Sequence, residues 1–175
     1  MIVGICGYAG VGKDTAADGL KKLGFTKLSF GDKVRELAKP IAEFFGLDIS
    51  VRQDKKFIRP ILVDIGRIGR QVHSDIWIKP VVAYMDNNPE QDFVIADVRY
   101  LNEAQEILKR DGMLFYIERP NYGPANDEEY HSIEIIKHLL HDSLIHIYNN
   151  RDIKTLREQV REIVENEKIK REVMK

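Results

Sequence analysis

The chain has 175 residues, enough for one domain with a sizeable core, and its 43% hydrophobic and 31% charged residues describe a globular rather than a disordered protein. Its formal net charge is −1, so no overall field draws it to a nucleic-acid polymer or an acidic membrane surface. Any anion it binds must be held by local cations. A single cysteine, Cys6, excludes an internal disulfide and a thiolate metal cluster, and within Ile2-Val3-Gly4-Ile5-Cys6 it reads as a small core residue. No basic segment precedes a long apolar stretch, so we expect no signal peptide, no membrane span and a cytoplasmic location.

Residues 2–6 predict a buried strand, followed by a glycine-rich loop at 7–12 and a helix over 13–23. A short second strand is expected at 26–30. Val34, Leu37, Ala38, Ile41, Ala42 and Phe45 recur at helical spacing over 32–45, with Gly46 as a stop and Pro40 expected to kink or divide the helix. Two helices are expected between Pro60 and Asp86, broken near His73-Ser74-Asp75, where Ser74 or Asp75 would cap the second. Phe44, Phe45, Trp77 and Tyr84 read as core at this spacing rather than as base-stacking platforms. A third strand at 93–96 ends at Asp97, and a helix over 102–109 and a turn at Asp111-Gly112 lead to a strand at 113–117. Residues 120–130, rich in Asn, Gly, Pro and acids, predict a loop. A helix at 132–140, a strand at 144–148 and an amphipathic helix from 152 to about 165 follow, and the charged tail from Asn166 is expected to fray. His138 and His141 read as surface residues in a histidine set without metal-ligand spacing. The alternation predicts an α/β fold, a single domain with a five-stranded parallel sheet between two helical layers.

The loop Gly7-Tyr8-Ala9-Gly10-Val11-Gly12-Lys13 fits G-x-x-x-x-G-K and stands where that pattern carries meaning, between a buried strand and a helix. Glycines let the backbone wrap with its N–H groups turned inward onto a polyphosphate, and Lys13 then reaches the β- and γ-phosphates. ATP and Mg²⁺ are the expected ligands, with Gly10, Val11, Gly12, Lys13, Asp14 and Thr15 around the phosphates. Asp14 stands where Ser or Thr usually meets the metal. It either holds a metal-bound water or caps the helix, and Thr15 is the better phosphate contact.

Asp97 closes a buried strand at the sheet edge where ligands bind, which suits a water-mediated Mg²⁺ partner, and Arg99 follows at the same edge. Asp32 begins a helix after the second strand and reads either as an N-cap or as a substrate contact. Arginine suits phosphate because its planar fork donates two parallel hydrogen bonds. Arg99 and Arg119 follow strand ends and lead the candidates; Arg35, Arg59 and Arg70 stand behind them, and Arg67 reads as surface.

Several stretches taken together resemble the bacteriophage-type deoxynucleoside monophosphate kinases, relatives of dephospho-coenzyme A kinase and adenylate kinase. They are Gly12-Lys13-Asp14-Thr15, Ser29-Phe30-Gly31-Asp32-Lys33, Arg59 with Ile65-Gly66 and Arg70 ahead of Trp77, Asp97-Val98-Arg99 with Asn102-Glu103-Ala104, Glu118-Arg119-Pro120, His131-Ser132-x-Glu134 and Asn149-Asn150. The resemblance implies a helical acceptor-binding insertion over about 33–90 and a lid over about 119–132. Asp32, Lys33, Arg35, Arg59, Arg70, Trp77 and Arg99 would then form the acceptor site. Lys13, Arg99 and Arg119 would act on the transferring phosphoryl group, and Asn149 or Asn150 would lie near the adenine. The implied reaction moves a phosphoryl group from ATP to a (deoxy)nucleoside monophosphate, in a host cytoplasm if the chain is phage-encoded, by a monomer or a homodimer. Two alternatives stay open: a dephospho-coenzyme A kinase-like enzyme on the same fold, and a P-loop switch that binds ATP to control a partner.

Overall fold

In the computed structural model, which describes residues 1–51 and 53–174, five strands and seven α-helices alternate. In chain order they are β1 (Ile2–Cys6), α1 (Lys13–Lys21), β2 (Thr26–Leu28), α2 (Asp32–Phe44), α3 (Lys55–Val72), α4 (Ile78–Asp86), β3 (Phe93–Ile95), α5 (Leu101–Lys109), β4 (Met113–Glu118), α6 (Asp127–Leu139), β5 (Leu144–Tyr148) and α7 (Ile153–Val173). The chain divides into two compact units, one of residues 1–28 and 90 onward and one of residues 29–89.

The first unit is the α/β body. Its strands pair in parallel in the order β2-β3-β1-β4-β5, with Val3 opposite both Val94 and Met113. Alternation sends Val3, Ile5, Phe115 and Ile117 to one face, where they meet Ala16, Ala17 and Leu20 of α1 and Leu156, Val160 and Val164 of α7. Gly4 faces the other way, toward Ile107 of α5, and an added Cβ there would overlap that side chain. Both faces are therefore covered, which is why the strands read as unbroken apolar runs. Each fully buried aliphatic side chain contributes about 1.5–3 kcal/mol. Cys6 belongs to this core as expected. Its thiol is buried against the Phe115 carbonyl at 3.3 Å, and burial pushes its pKa up to about 12.

The second unit holds α2, α3 and α4. Val34, Ala38 and Ala42 form the buried stripe of α2. Pro40 lies inside α2, which it does not divide, because this stripe continues on both sides of it. α3 begins at Lys55, ahead of the expected start at Pro60, and the break before α4 falls where the sequence placed it. Neither Ser74 nor Asp75 caps α4, whose N-cap position is Trp77. Trp77 is buried as expected, whereas Phe44, Phe45 and Tyr84 are 84%, 63% and 45% exposed and do not join the core. The indole N–H of Trp77 donates to the Gly66 carbonyl at 3.0 Å, and a side chain on Gly69 would overlap the ring. Two helical glycines thus form the slot that seats this indole.

Two further expectations change in the first unit. α6 starts at Asp127, inside the expected loop, because Asn126 accepts from the Glu129 amide at 2.8 Å and Glu129 accepts from the Ala125 amide at 2.6 Å. The C-terminal tail does not fray: α7 runs to Val173. Arg171 bonds Asp111 at 2.8 Å and Glu167 at 2.9 Å, while Lys168 pairs with Asp92 and lies over the Phe25 ring. Distant segments hold the tail.

Asp92 also receives the amino group of Met1. Burial raises its pKa, but the Lys168 bond and the Met1 ammonium outweigh this and hold the carboxyl below its usual value. A depressed folded-state pKa stabilises above the unfolded value of ~3.9 and ceases to as pH falls through the folded one. Asp92→Asn is expected to lower the unfolding free energy near neutral pH by about 1 kcal/mol or less, since the pair is partly exposed. In urea denaturation the gap to wild type should close as the pH drops below about 4. A gap independent of pH would remove this ion pair from the account.

Candidate phosphate-binding site

A parallel sheet brings the C-terminal ends of its strands to one edge. In the first unit the loops leaving that edge carry Gly7–Lys13 after β1, Asp97 and Arg99 after β3, Arg119 after β4 and Asn149-Asn150 after β5. The chain crosses from β3 to β4 on opposite sides of β1, the kind of switch point where an open α/β sheet forms a ligand crevice.

Close packing as well as chemistry requires the loop glycines. Gly12 has φ 109°, a backbone region unfavourable to other residues, and a Cβ on it would lie 2.8 Å from Asn149 Nδ2 and 2.9 Å from Leu156 Cδ2. The Asn149 side-chain amide, which is buried, donates to the Val11 carbonyl at 2.7 Å. Gly10 has φ 79°, and the Tyr122 ring lies over it, 2.7 Å from where a Cβ would stand. Arg119 stacks on that ring with its guanidinium carbon 4.5 Å from the centroid, and reaches the Gly10 carbonyl at 3.5 Å.

Lys13 opens α1 and folds back onto its own loop. Its ammonium donates to the Gly7 carbonyl at 2.6 Å and the Tyr8 carbonyl at 2.7 Å. Burial lowers its pKa first and the Arg99 charge lowers it further, while Glu129 and Asp14 partly offset both. Lys13, Arg99 and Glu129 therefore share one electrostatic neighbourhood. Arg99 projects an exposed side chain, while its backbone N–H donates to buried Glu103 at 2.7 Å, and Tyr100 N–H donates to the same oxygen at 3.0 Å. Glu103 thus caps the start of α5.

One of the two sequence readings of Asp14 is corrected. The N-cap of α1 is Gly12, so Asp14 is not the cap; it sits in the first helical turn and pairs with Lys27 of β2 at 2.7 Å. Thr15 and Asp97 are half-buried. Among the described residues no group of three or more His, Cys, Asp or Glu could hold a metal ion. Beside the β5–α7 loop lies a cavity of about 350 Å³, lined by Asn149, Asn150, Arg151, Thr155 and Leu156 among others.

The remaining candidates belong to the second unit. Asp32 is the first residue of α2 with Gly31 as N-cap, so it does not cap the helix; it pairs with Arg35 at 2.7 Å. Lys33 pairs with Glu36, Arg59 is exposed, and Arg67 pairs with Asp64 at 2.9 Å on the surface as expected. The Arg70 guanidinium lies over Gly66, 3.4 Å from where a Cβ would stand. Sequence reasoning missed Tyr122, Lys27 and Glu129. Tyr122 had a readable signal, an aromatic three residues beyond Arg119 in a turn, whereas the other two are brought in by tertiary folding.

Several comparisons bear on these features. The chain is 28% identical, over an alignment of 193 positions covering 95% of it and 97% of the relative, to an Acanthamoeba polyphaga mimivirus protein named "Putative deoxynucleotide monophosphate kinase". The structure superposes on dephospho-CoA kinase from Campylobacter jejuni with a TM-score of 0.55, 14% identity and coverage of 94% of this chain and 95% of the other. No family model matches the chain. The fold is that of the P-loop kinases, and the sequence likeness runs to the group that its motifs resemble.

Removing the Asn149 amide would leave the Val11 carbonyl buried without its donor. Asn149→Leu should cost about 1–3 kcal/mol of unfolding free energy, read from the urea midpoint with an unchanged slope. A midpoint equal to wild type would show that the loop does not depend on this bond.

Proposed function

We propose that this protein transfers the γ-phosphoryl group of ATP to the phosphate of a (deoxy)nucleoside monophosphate, giving ADP and the diphosphate. One observation carries the reading: a lysine at the head of α1, cradled by the carbonyls of a glycine loop, with Arg99 within electrostatic reach. The mimivirus relative's name supports the acceptor class, and the P-loop kinase fold supports phosphoryl transfer.

In this reading the loop amides of Gly10 to Lys13 hold the β- and γ-phosphates at the positive end of α1. Lys13 exchanges its two carbonyl partners for phosphate oxygens. The adenine lies toward the cavity beside Asn149 and Asn150. Asp32, Lys33, Arg35, Arg59 and Arg70 of the second unit serve the acceptor, and Arg99 bridges to the transferring group. Trp77, which the resemblance adds to the acceptor set, contributes by seating α4 on α3, since its ring is buried and its N–H is taken by Gly66. An acceptor phosphate oxygen attacks the γ-phosphorus in line, the bond to the β–γ bridging oxygen breaks, and the electron pair leaves with ADP. The attacking oxygen is already ionised, so no general base is required, and catalysis rests on alignment and charge neutralisation. Arg119, held over Gly10 by Tyr122, neutralises charge on the transferring oxygens.

Mg²⁺ fits this donor set in one manner. Asp14 is already paired with Lys27, and with no ligand cluster among the described residues the ion would ride on the phosphates and keep most of its water. Thr15, Asp97 and Asp14 would hold those waters, and the ion would supply further neutralisation of phosphate charge.

The test is to follow ADP with Mg-ATP and each deoxy- and ribonucleoside monophosphate, with dephospho-coenzyme A alongside. A diphosphate product stoichiometric with ADP is expected from at least one monophosphate. Phosphorylation of dephospho-coenzyme A alone would replace the acceptor, and ATP consumption without a phosphorylated product would favour a switch. Lys13→Met should reduce kcat by roughly 10³-fold or more with unchanged circular dichroism; near-normal turnover would refute the loop assignment.

A further inference from the structure

The segment His131-Ser132-x-Glu134 has no part in the reaction just described, yet one of its residues touches the phosphate loop. The Tyr8 hydroxyl donates to Glu134 Oε1 at 2.8 Å, joining residues 126 positions apart, and Lys137 pairs with the same oxygen at 2.9 Å. Lys137 and Tyr8 both hold the Glu134 carboxyl below its usual pKa, against the opposing effect of burial. The carboxylate is therefore a charged acceptor, and hydrogen bonds to charged groups are worth more than neutral ones.

Tyr8 is also one of the two residues whose backbone carbonyls hold the Lys13 ammonium. Its phenol and its carbonyl thus fasten one peptide of the loop from two directions, to α6 on one side and to the phosphate lysine on the other. Other parts of the loop have separate holds: Asn149 on Val11, Tyr122 and Arg119 on Gly10. Without the phenol anchor, the side-chain hold on the Tyr8 peptide falls to Lys13, which a bound phosphate would draw away, in a segment with glycine at both ends.

We propose that Glu134, acting through the Tyr8 hydroxyl, is a positioning residue that holds the phosphate loop in its anion-binding shape. The inference rests on the loop being an ATP site. Its substance is that ordering cost is met during folding rather than during binding, so loss of the contact weakens ATP affinity more than it slows chemistry.

The experiment compares Tyr8→Phe, Glu134→Ala, Glu134→Gln, Lys137→Met and the Tyr8→Phe/Glu134→Ala double variant. ATP dissociation constants are measured by calorimetry, and KM and kcat from ADP formation. Tyr8→Phe and Glu134→Ala should each raise the ATP Kd about tenfold, with the kinetic loss mainly in KM. The double variant should be no worse than either single one, because both remove one bond. Glu134→Gln keeps an acceptor and should recover most of the affinity, and Lys137→Met, which leaves the Tyr8 bond in place, should bind ATP as wild type does. The proposal is overturned if both single variants bind ATP normally, if their losses multiply in the double variant, or if Lys137→Met reproduces them. Wild type that binds ATP but makes no phosphorylated product would defeat the kinase reading while the affinity comparison still decides this one.

Discussion

The bond from the Asn149 amide to the Val11 carbonyl joins the loops after β5 and β1 across the end of β4, and it pins the glycine loop to the sheet edge. The backbone of Asn149 contributes too, its N–H donating to the Glu118 carbonyl at 2.7 Å. One residue is thereby fixed at the end of β4 through its main chain and grips the loop of β1 through its side chain. This is possible only because position 12 lacks a Cβ, and Gly7 meets the same demand at the other end of the loop, where a side chain would run into the Ile117 carbonyl. The glycines are therefore required twice, by the positive φ at Gly7, Gly10 and Gly12 and by a sheet edge packed too tightly for side chains.

What could be read from the sequence follows from how local each cause is. The strands were legible because a parallel sheet covered on both faces imposes continuous apolar runs, and the loop was legible because its glycines and lysine are contiguous. Helical spacing, by contrast, says which residues share a stripe but not which stripe is inside. On α2 the small stripe of Val34, Ala38 and Ala42 is buried, while the larger Leu37, Ile41 and Phe44 remain exposed. The tail beyond Asn166 looked free because its charges find their partners at Asp92 and Asp111, far back in the chain. Asp14 was ambiguous for the same reason, since Lys27 reaches it only once β2 is in the sheet.

The motifs behind the family resemblance also separate by what they do. In Asp97-Val98-Arg99 with Asn102-Glu103, the arginine side chain is exposed while Glu103 accepts from the Arg99 and Tyr100 amides and starts α5. Gly66 and Trp77, with the Arg70 guanidinium over Gly66, form a packing contact between α3 and the start of α4. A motif can thus be specific to a family because it fixes geometry, with chemistry carried by only one of its members.

Charge supplies the last constraint. Burial lowers the Lys13 pKa and the Arg99 charge lowers it further, and the chain's net charge of −1 offers no background field to hold two cations together. The loop carbonyls hold the Lys13 ammonium, the start of α5 holds the Arg99 backbone, and Glu129 and Asp14 temper the lysine. A partly buried cation beside a second one is electrostatically costly, and an anion placed between them would lower that cost. A polyphosphate would relieve the repulsion, raise the lysine pKa and replace both carbonyl contacts at once. On the proposed reading, the anion at this sheet edge is a polyphosphate, whose several charges would be shared between the two cations.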